Sequence, residues 1–446
     1  MSESLASGSV STRIERIAEL ARKHPERAFR SLHHAVDVEW LREAYRRTRK
    51  DAAAGVDGQT AKEYERDLGG NLEALVEGLR TGTYYAPPVR RVHIPKGDGR
   101  TRPIGIPTFE DKVLQRAVAM VLEAIYEQDF HPSSFGFRPG RGAHEALDEL
   151  WKGLMPKGGW VLEVDIQDFF GSLDHSILRG FLDGRITDGV LRRAIDKWLK
   201  AGVLEDGAVT RPESGTPQGG VISPLLANIY LHEVLDVWFE NDVKPRLKGR
   251  SFLVRYADDF VIGFEQEADA MRVKEVLAKR FAKYGLTLHP DKTRLVKFER
   301  PRRERDDDDH GGDPGSFDFL GFTHHWALSQ KGNWIVKRRT MRTRLTRGLE
   351  RIRAWCRDHR HLPIAEQCKA LGQKMRGHYG YYGITGNHAA LARFAHNVRC
   401  IWRFWLNRRS QRAAMAWERF SRLLTRYPLP QPRVVHSVFT QRAAKP

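Results

Sequence analysis

Val113, Leu114, Ala117, Val118, Val121, Leu122 and Ile125 recur at three- and four-residue intervals and predict a helix over 109–129. Residues 11–50 read as helical and basic, ending in "YRRTRK", and residues 61–80 as a further helix. Another helix is expected from about 143 and another over 266–284. "GTPQGGVISPLLANIYLHEVLDVWF" (215–239) is a Gly-rich turn leading into a long apolar helix. Extended segments alternate with these. "PPVRRVHIPKGDGRTRPIGIPT" (87–108) predicts two short strands around "KGDG". "WVLEVDIQDFF" (160–170) is a strand that ends at a helix, and "SFLVRYADDFVIGF" (251–264) is a strand pair interrupted by two adjacent acids. "LTLHPDKTRLV" (286–296) follows, then strands at "FDFLGFTHHW" (317–326) and "GNWIVKRR" (332–339). "AGVDG" (54–58) is a turn, and "SFGFRPGRG" (134–142) is a Gly- and Arg-rich loop. "RPRRERDDDDHGGDPGS" (300–316) reads as an exposed, charged loop. Beyond Thr340 the pattern is helical and basic to about residue 425, and the last twenty residues are Pro-bearing and extended. The strand and helix alternation therefore stops near 340, where the main domain boundary is expected.

Composition narrows the class. A chain of 446 residues can form two to four domains with a well-buried core. No run approaches the ~18 uninterrupted apolar residues of a membrane span. The first twenty residues lack the apolar core of a signal peptide, so a cytoplasmic location is expected. Cys356, Cys368 and Cys400 are far apart and form no CxxC pair. They read as reduced and structural, which excludes a Cys-based zinc finger. The formal charge is +19, and it is unevenly placed. Residues 331–446 hold 26 Lys and Arg against 4 Asp and Glu, a net of +22, whereas residues 1–330 hold 49 against 52, a net of −3. Such a one-sided field attracts a polyanion, nucleic acid first and an anionic membrane second. Arg interleaved with aromatics, as in "IWRFWLNRRSQRAAMAWERF", suits phosphate contact together with base stacking.

Three carboxylates stand out within this frame. Asp165 lies inside the apolar strand "VLEVDI", where an ionised carboxylate is costly unless paired or bound to metal. Asp258 and Asp259 sit at the turn of a two-strand ribbon. If the strand ends are neighbours in one sheet, the three converge. Oxygen-only ligands suit a hard cation such as Mg²⁺, and two such ions about 4 Å apart would clamp a phosphoryl transfer. An acidic turn plus a helix cap accounts for the same residues, and from these segments alone both readings stand.

The company these segments keep goes further. "RYADDF" with an upstream strand Asp resembles the palm motifs of reverse transcriptases. "AGVDG", "RRVHIPKGDGRTRPIGIPTFEDKVLQ", "SFGFRPGRGAHEAL", "VLEVDIQDFFGSLDHSIL", "GTPQGGVISPLLANIYLHEVLD", "RYADDFVIGF", "GLTLHPDKTRLV" and "FDFLGF" occur in order over residues 54–322. Together they are similar to bacterial group II intron-encoded reverse transcriptase/maturases. The basic tail, with "MRGHYGYYGITGN" (375–387), resembles the maturase (X, or thumb) domain of that family. The resemblance implies an α+β fold: a right-hand polymerase, with fingers and an antiparallel-sheet palm, followed by an all-helical basic thumb/maturase domain. The implied spans are a basic helical extension (1–50), fingers (51–160), palm (161–325, with the exposed loop 300–316), thumb/maturase (330–430) and an extended tail (431–446). It implies an RNA-directed DNA polymerase that binds its group II intron RNA and assists splicing and retromobility, using two Mg²⁺ ions for which Mn²⁺ can substitute. The implied partners are the intron RNA template, a DNA or RNA primer, dNTPs and target DNA, with no membrane. Nothing in the sequence sets the oligomeric state.

Residue by residue, the resemblance makes Asp165, Asp258 and Asp259 the catalytic carboxylates and metal ligands, with the Ile166 carbonyl beside them. Phe170 matches the aromatic that would clash with a 2′-OH, although core packing is its ordinary role. Gln218 matches the residue that contacts nucleotide and template, while Gly219 and Gly220 allow close backbone approach. Lys96, Arg100 and Arg102 are candidates to neutralise a triphosphate, Arg102 first. Lys292 is a further cation near the reacting phosphates. Arg138 and Arg141 could contact template or nucleotide, or simply belong to a solvated loop. Phe319, Leu320, Gly321 and Phe322 resemble the primer grip, a hairpin holding the 3′ end. The histidines show no metal-ligand spacing and read as structural or RNA-facing. The "DDDD" run at 306–309 reads as solvated. With about twenty residues after the basic helices, no His/Cys endonuclease module is expected, which makes this a short form. Two other readings stay open: a domesticated or retron-like reverse transcriptase in antiviral defence, and an RNA-binding splicing factor with a vestigial polymerase.

Overall fold

The structure is a computed structural model that describes residues 9–95, 99, 101–210, 214–216, 218–301, 315–410 and 415–437. It divides into two compact units. The first comprises residues 1–146, 162–262 and 268–294, and the second residues 147–161, 263–267 and 295–446. The expected fingers, palm and thumb are continuous stretches of chain, whereas neither unit is.

In the first unit the expected basic helical stretch is two helices, α1 (Val10–Lys23) and α2 (Val38–Arg47), separated by an irregular segment with one 3-10 turn. The break has a distant cause. The carboxylate of Asp188 accepts the Leu32 and His33 amides at 2.6 and 2.8 Å, which satisfies backbone that would otherwise seek a helix. The helix expected over 61–80 is likewise two, α3 (Ala61–Glu65) and α4 (Leu68–Thr81), because Asp67 caps the second at Gly70 N. β1 (Val89–Pro95) and β2 (Thr101–Ile106) form the expected antiparallel pair, from Arg90↔Ile106 to Pro95↔Thr101. α5 (Phe109–Asp129) spans the predicted interval and is buried on most of its surface, so it is the spine of this unit. α6 (Ala143–Leu154) and β3 (Gly158–Val164), each shared between the two units, follow, then, again in the first, β4 (Ile166–Gln167) and the single turn α7 (Phe169–Ser172).

Residues 173–210, which the sequence left unassigned, form α8 (His175–Asp183), α9 (Gly189–Leu199) and a short hairpin, β5 (Val203–Glu205) with β6 (Ala208–Thr210). β5 runs parallel to β1 and gives a sheet of order β2-β1-β5-β6. α10 (Ser223–Leu231) starts with Pro224 in its first turn and continues through two π-helical turns, His232–Asp236 and Phe239–Val243. β7 (Ser251–Tyr256) and β8 (Asp259–Phe264) are neighbours in a second sheet, with β3 on the other side of β8. α11 (Glu267–Lys283) leads to β9 (Thr287–Leu288), which pairs with β4, and to β10 (Arg294–Glu299).

The second unit holds a three-stranded antiparallel sheet, β11 (Ser316–Phe319), β12 (Phe322–Leu328) and β13 (Trp334–Thr340). Four helices follow: α12 (Arg342–Asp358), α13 (Ile364–Tyr382), α14 (His388–Leu406) and α15 (Trp417–Arg426). Their apolar stripes close on one core that includes Ile352, Leu371, Met375, Phe394, Trp402 and Phe420. The end of β13 is tied to the helices through Asn387. Its Oδ1 accepts the Thr340 amide at 2.9 Å and its Nδ2 donates to the Thr340 hydroxyl at 2.9 Å. Chain order thus changes character at 340, while sheet and helices remain one compact unit. Among the described residues no helix is long and apolar enough to cross a membrane. Most of the charged insertion, residues 302–314 with the "DDDD" run, lies outside the described residues.

Candidate active site

The acidic pair is mounted on a two-residue hairpin turn, Ala257-Asp258, between β7 and β8. Ala257 has φ +57°, a left-handed conformation that costs a non-glycine residue about 1 kcal/mol or more. Arg255 keeps it there. This side chain is fully buried near the end of β7. Its guanidinium donates to Asp236 Oδ1 at 2.8 Å and Oδ2 at 2.5 Å, to Asn228 Oδ1 at 2.9 Å and to the Ala257 carbonyl at 3.1 Å. Burial pushes the Asp236 carboxyl up, but the Arg255 charge and His232 reverse this and hold it below its ordinary range. Asn228 Nδ2 donates in turn to the Gly136 carbonyl at 2.7 Å. Gly136 has no room for a side chain, since a Cβ there would lie 2.3 Å from Ala257 N. The loop around it runs beside β7, with Ser133 O accepting Arg255 N and Arg255 O accepting Phe135 N. None of Arg255, Asp236, Asn228 and Gly136 was singled out from the sequence. Two carried a signal, because an Arg within "FLVRYA" and an Asp within "HEVLDVWF" are charges in apolar runs that need partners.

Asp165 follows β3 directly, and β3 lies beside β8. The Asp165 carbonyl accepts the His289 amide at 2.8 Å, and Ile166 pairs with Leu288 where β4 meets β9. The carboxylate is paired with Lys292 Nζ at 2.7 Å. Asp258 is pushed upward by burial. Its own backbone amide and the positive charge of Arg102 oppose that shift, and the negative charge of Asp165 adds to it. Asp165, Asp258 and Arg102 therefore share one electrostatic neighbourhood, with Lys292 on its edge. Asp259, the first residue of β8, is exposed. Among the described residues no group of three or more His, Cys, Asp or Glu is placed to hold a metal ion. The Asp165 and Asp258 pair nevertheless fits a hard divalent cation by its chemistry. Its donors are oxygens only, and Asp258 is a carboxylate whose charge is disfavoured by burial and by a like-charged neighbour.

The Gly-rich turn 214–220 is fixed against this region by its backbone. Thr216 N donates to Phe170 O at 2.8 Å, Gly215 N to Leu173 O at 2.8 Å, and Gly105 N to Gln218 O at 2.7 Å. Gly219 has φ +121°, and a Cβ there would lie 2.6 Å from the Gly105 carbonyl. Phe170 on α7, Gln218 in the turn and β2, which carries Arg102, are thereby tied into one piece. Phe170 and Gln218 are both half-buried. Behind the turn is a small cavity lined in part by Asp111, Gln115, Trp198, Thr216 and Ser223. Burial pushes Asp111 up to about 7, a Trp198 hydrogen bond works against this and the Asp57 charge adds to it. The Tyr84 hydroxyl also donates to Asp111.

Lys96 and Arg100 lie outside the described residues. Arg138 is engaged inside the protein, and Arg141 is paired at its surface. Arg138 is buried, holds Glu127 at 3.0 Å and donates to the His131 and Ser134 carbonyls at 2.9 and 2.8 Å. A tight loop leaves such carbonyls without secondary-structure partners, and the guanidinium fork supplies the donors. Arg141 pairs with Glu145 at 3.0 Å and lies over the Phe135 ring. His175 is also structural, bonded to the Gly215 carbonyl at 2.5 Å. In the second unit "FLGF" is a tight hairpin, with Phe319↔Phe322 as the last pair and Leu320 and Gly321 both at positive φ. Tyr381 donates its hydroxyl to Leu320 O at 2.8 Å.

Residues 94–324 match the model of the family described as reverse transcriptase (RNA-dependent DNA polymerase). Protein YkfC of Escherichia coli (strain K12) is 37% identical over 58% of this chain and 76% of its own length. The group II intron-encoded protein LtrA of Lactococcus lactis subsp. cremoris is 29% identical over 86% of this chain and 75% of its own. Nuclear intron maturase 2, mitochondrial, of Arabidopsis thaliana is 29% identical over 43% of this chain and 30% of its own. The chain belongs to the reverse transcriptase (RNA-dependent DNA polymerase) family and is a homologue of group II intron-encoded proteins and intron maturases.

Proposed function

We propose that this protein copies RNA into DNA, and that it also binds a folded group II intron RNA and assists its splicing and retromobility. The observation that carries the first part is the crowding of Asp258 by burial and by Asp165, with Arg102 and Lys292 as the neighbouring cations. In this reading Asp165, Asp258 and the Ile166 carbonyl hold Mg²⁺, and Asp259 contributes less directly. Mg²⁺ held there would supply activation of a 3′ hydroxyl and charge to offset the triphosphate. The chain's own residues do the rest. Arg102 and Lys292 bring fixed positive charge to where phosphate oxygens must sit. Phe170, whose carbonyl is tied to the Gly-rich turn, lies under the incoming sugar and excludes a 2′-OH. Gln218 meets the template and the nucleotide. Lys96 is a further candidate for the triphosphate. The spans 51–160, 161–325 and 330–430 act as fingers, palm and thumb, and the "FLGF" hairpin grips the primer. The net charge of +22 over residues 331–446 supports RNA binding by the basic helices.

The test is dNTP incorporation on a primed RNA template by the Asp258→Ala/Asp259→Ala variant. Activity should vanish, while support of intron splicing should survive, because scaffolding RNA does not use the acidic site of the protein. Full incorporation by the double variant would reject the assignment. The same assay tests a second reading, a splicing factor whose polymerase is vestigial. It predicts no incorporation by the unmodified protein, with splicing support intact.

A further inference from the structure

Beside the acidic turn stands an aromatic side chain that packing does not explain. Phe137 is 57% exposed, in a segment whose neighbours Phe135 and Arg138 are buried. Its backbone is left-handed, with φ +56°, a conformation that Phe adopts only when its surroundings impose it. They do so from both sides. Gly136 is pressed against Ala257 N, with its carbonyl held by Asn228. Arg138 is clamped by Glu127 and by the carbonyls of His131 and Ser134. The loop is therefore rigid, and the one ring it presents to solvent is presented at a cost. Strain of this kind persists where the geometry serves a function. The Phe137 ring centroid is 6.5 Å from that of Tyr256, two residues before Asp258.

We propose that Phe137 and Tyr256 form a stacking step for the nucleic acid strand whose 3′ end is extended at Asp258. The inference rests on the polymerase reading above. A strand that ends at Asp258 must pass close to Tyr256. A separation of 6.5 Å is about two base steps at the ~3.4 Å spacing of stacked bases, so the two rings are spaced to hold one base of the strand between them near the primer end. Stacking on an aromatic face tolerates any base, which is what a polymerase needs of a contact that every sequence must cross. Phe137 touches no reacting group in this scheme. It is a positioning residue that sets the primer end over the acidic turn.

The experiment compares Phe137→Ala, Phe137→Gly, Phe137→Leu and Phe137→Trp in the full chain. Affinity for a primer–template duplex is measured by fluorescence anisotropy without divalent ions. Products per binding event are measured in the presence of Mg²⁺ and a trap. Ala, Gly and Leu should each weaken primer–template binding about tenfold and shorten products, with a larger effect on apparent affinity than on the single-turnover rate. Trp should retain both. The Gly variant separates stacking from folding, because it removes the left-handed strain and should melt no earlier than the parent while still losing affinity. Unchanged affinity and product length in Ala and Gly, with incorporation by the parent intact, would overturn the stacking step alone. Equal losses in Leu and Trp would also overturn it, since shape rather than stacking would then be at work. Absence of incorporation by the parent would strike the polymerase reading instead.

Discussion

Replacing Arg255 tests whether the acidic turn is held by the buried ion pair or only by the strands beside it. Removing one partner of a buried pair leaves an uncompensated charge and costs about 3–5 kcal/mol, whereas replacing both with apolar groups of similar size is close to neutral for the pair itself. Arg255 and Asp236 are both fully buried, so the upper regime applies. Arg255→Met and Asp236→Leu should together cost at least about 6 kcal/mol if their effects simply added. The double variant should cost about 2–4 kcal/mol, because what remains is the loss of donors to the Ala257 carbonyl and the Asn228 amide oxygen. The coupling should thus be about 2 kcal/mol or more, well above the ~0.5 kcal/mol scatter of independent sites. Hydrogen exchange of the β7 and β8 amides is the right measurement, because it reads opening of this ribbon rather than unfolding of the whole chain. The double variant is also the informative one for activity. It carries no stray buried charge, yet Ala257 has lost its tie, so incorporation should fall although the ribbon is formed. Additive losses in exchange protection, or full activity in the double variant, would refute the view that Arg255 positions the turn.

Two further predictions concern pH. His324 is fully buried, stacked on the Phe317 ring, and burial pushes its pKa down to about 3. A lowered His favours the folded state above its unfolded pKa, so on the order of 3 kcal/mol should be lost between pH 6.5 and 4. His324→Phe should melt higher and remove that acid-side loss, as read by Tm against pH. Asp111 works in the opposite direction. With its carboxyl pushed up to about 7, the folded state holds a proton that the unfolded chain gives up near pH 4, so stability is lost as pH rises from about 4 to 7. In Asp111→Asn that loss, on the order of 4 kcal/mol at most, should be absent. A Tm gap between variant and parent that does not widen between pH 5 and 8 would contradict the buried acid.

Local pattern made most of the elements legible, and distant partners account for what it missed. α5 could be read from seven apolar positions, and the β1–β2 and β7–β8 hairpins from turns between apolar runs, because those signals lie within one element, whereas the "FLGF" hairpin was legible only through the family resemblance. The break between α1 and α2 could not be read, since its cause is a carboxylate more than 150 residues away. The loop arginines were ambiguous for the same reason. Arg138 becomes structural only once Glu127 and two loop carbonyls are seen around it. The candidate site shows the limit most sharply. Arg255 and Asp258 stand three residues apart, and each places a charge among apolar neighbours, which a sequence pattern treats alike. The fold separates them. Arg255 spends its donors on Asp236, Asn228 and Ala257, whereas Asp258 has no ion pair among the described residues and is pushed up by burial. A buried charge satisfied within the protein is scaffold. One pushed up by burial beside a second carboxylate, with the Arg102 charge acting on it, is what the proposed cation and phosphate site rests on.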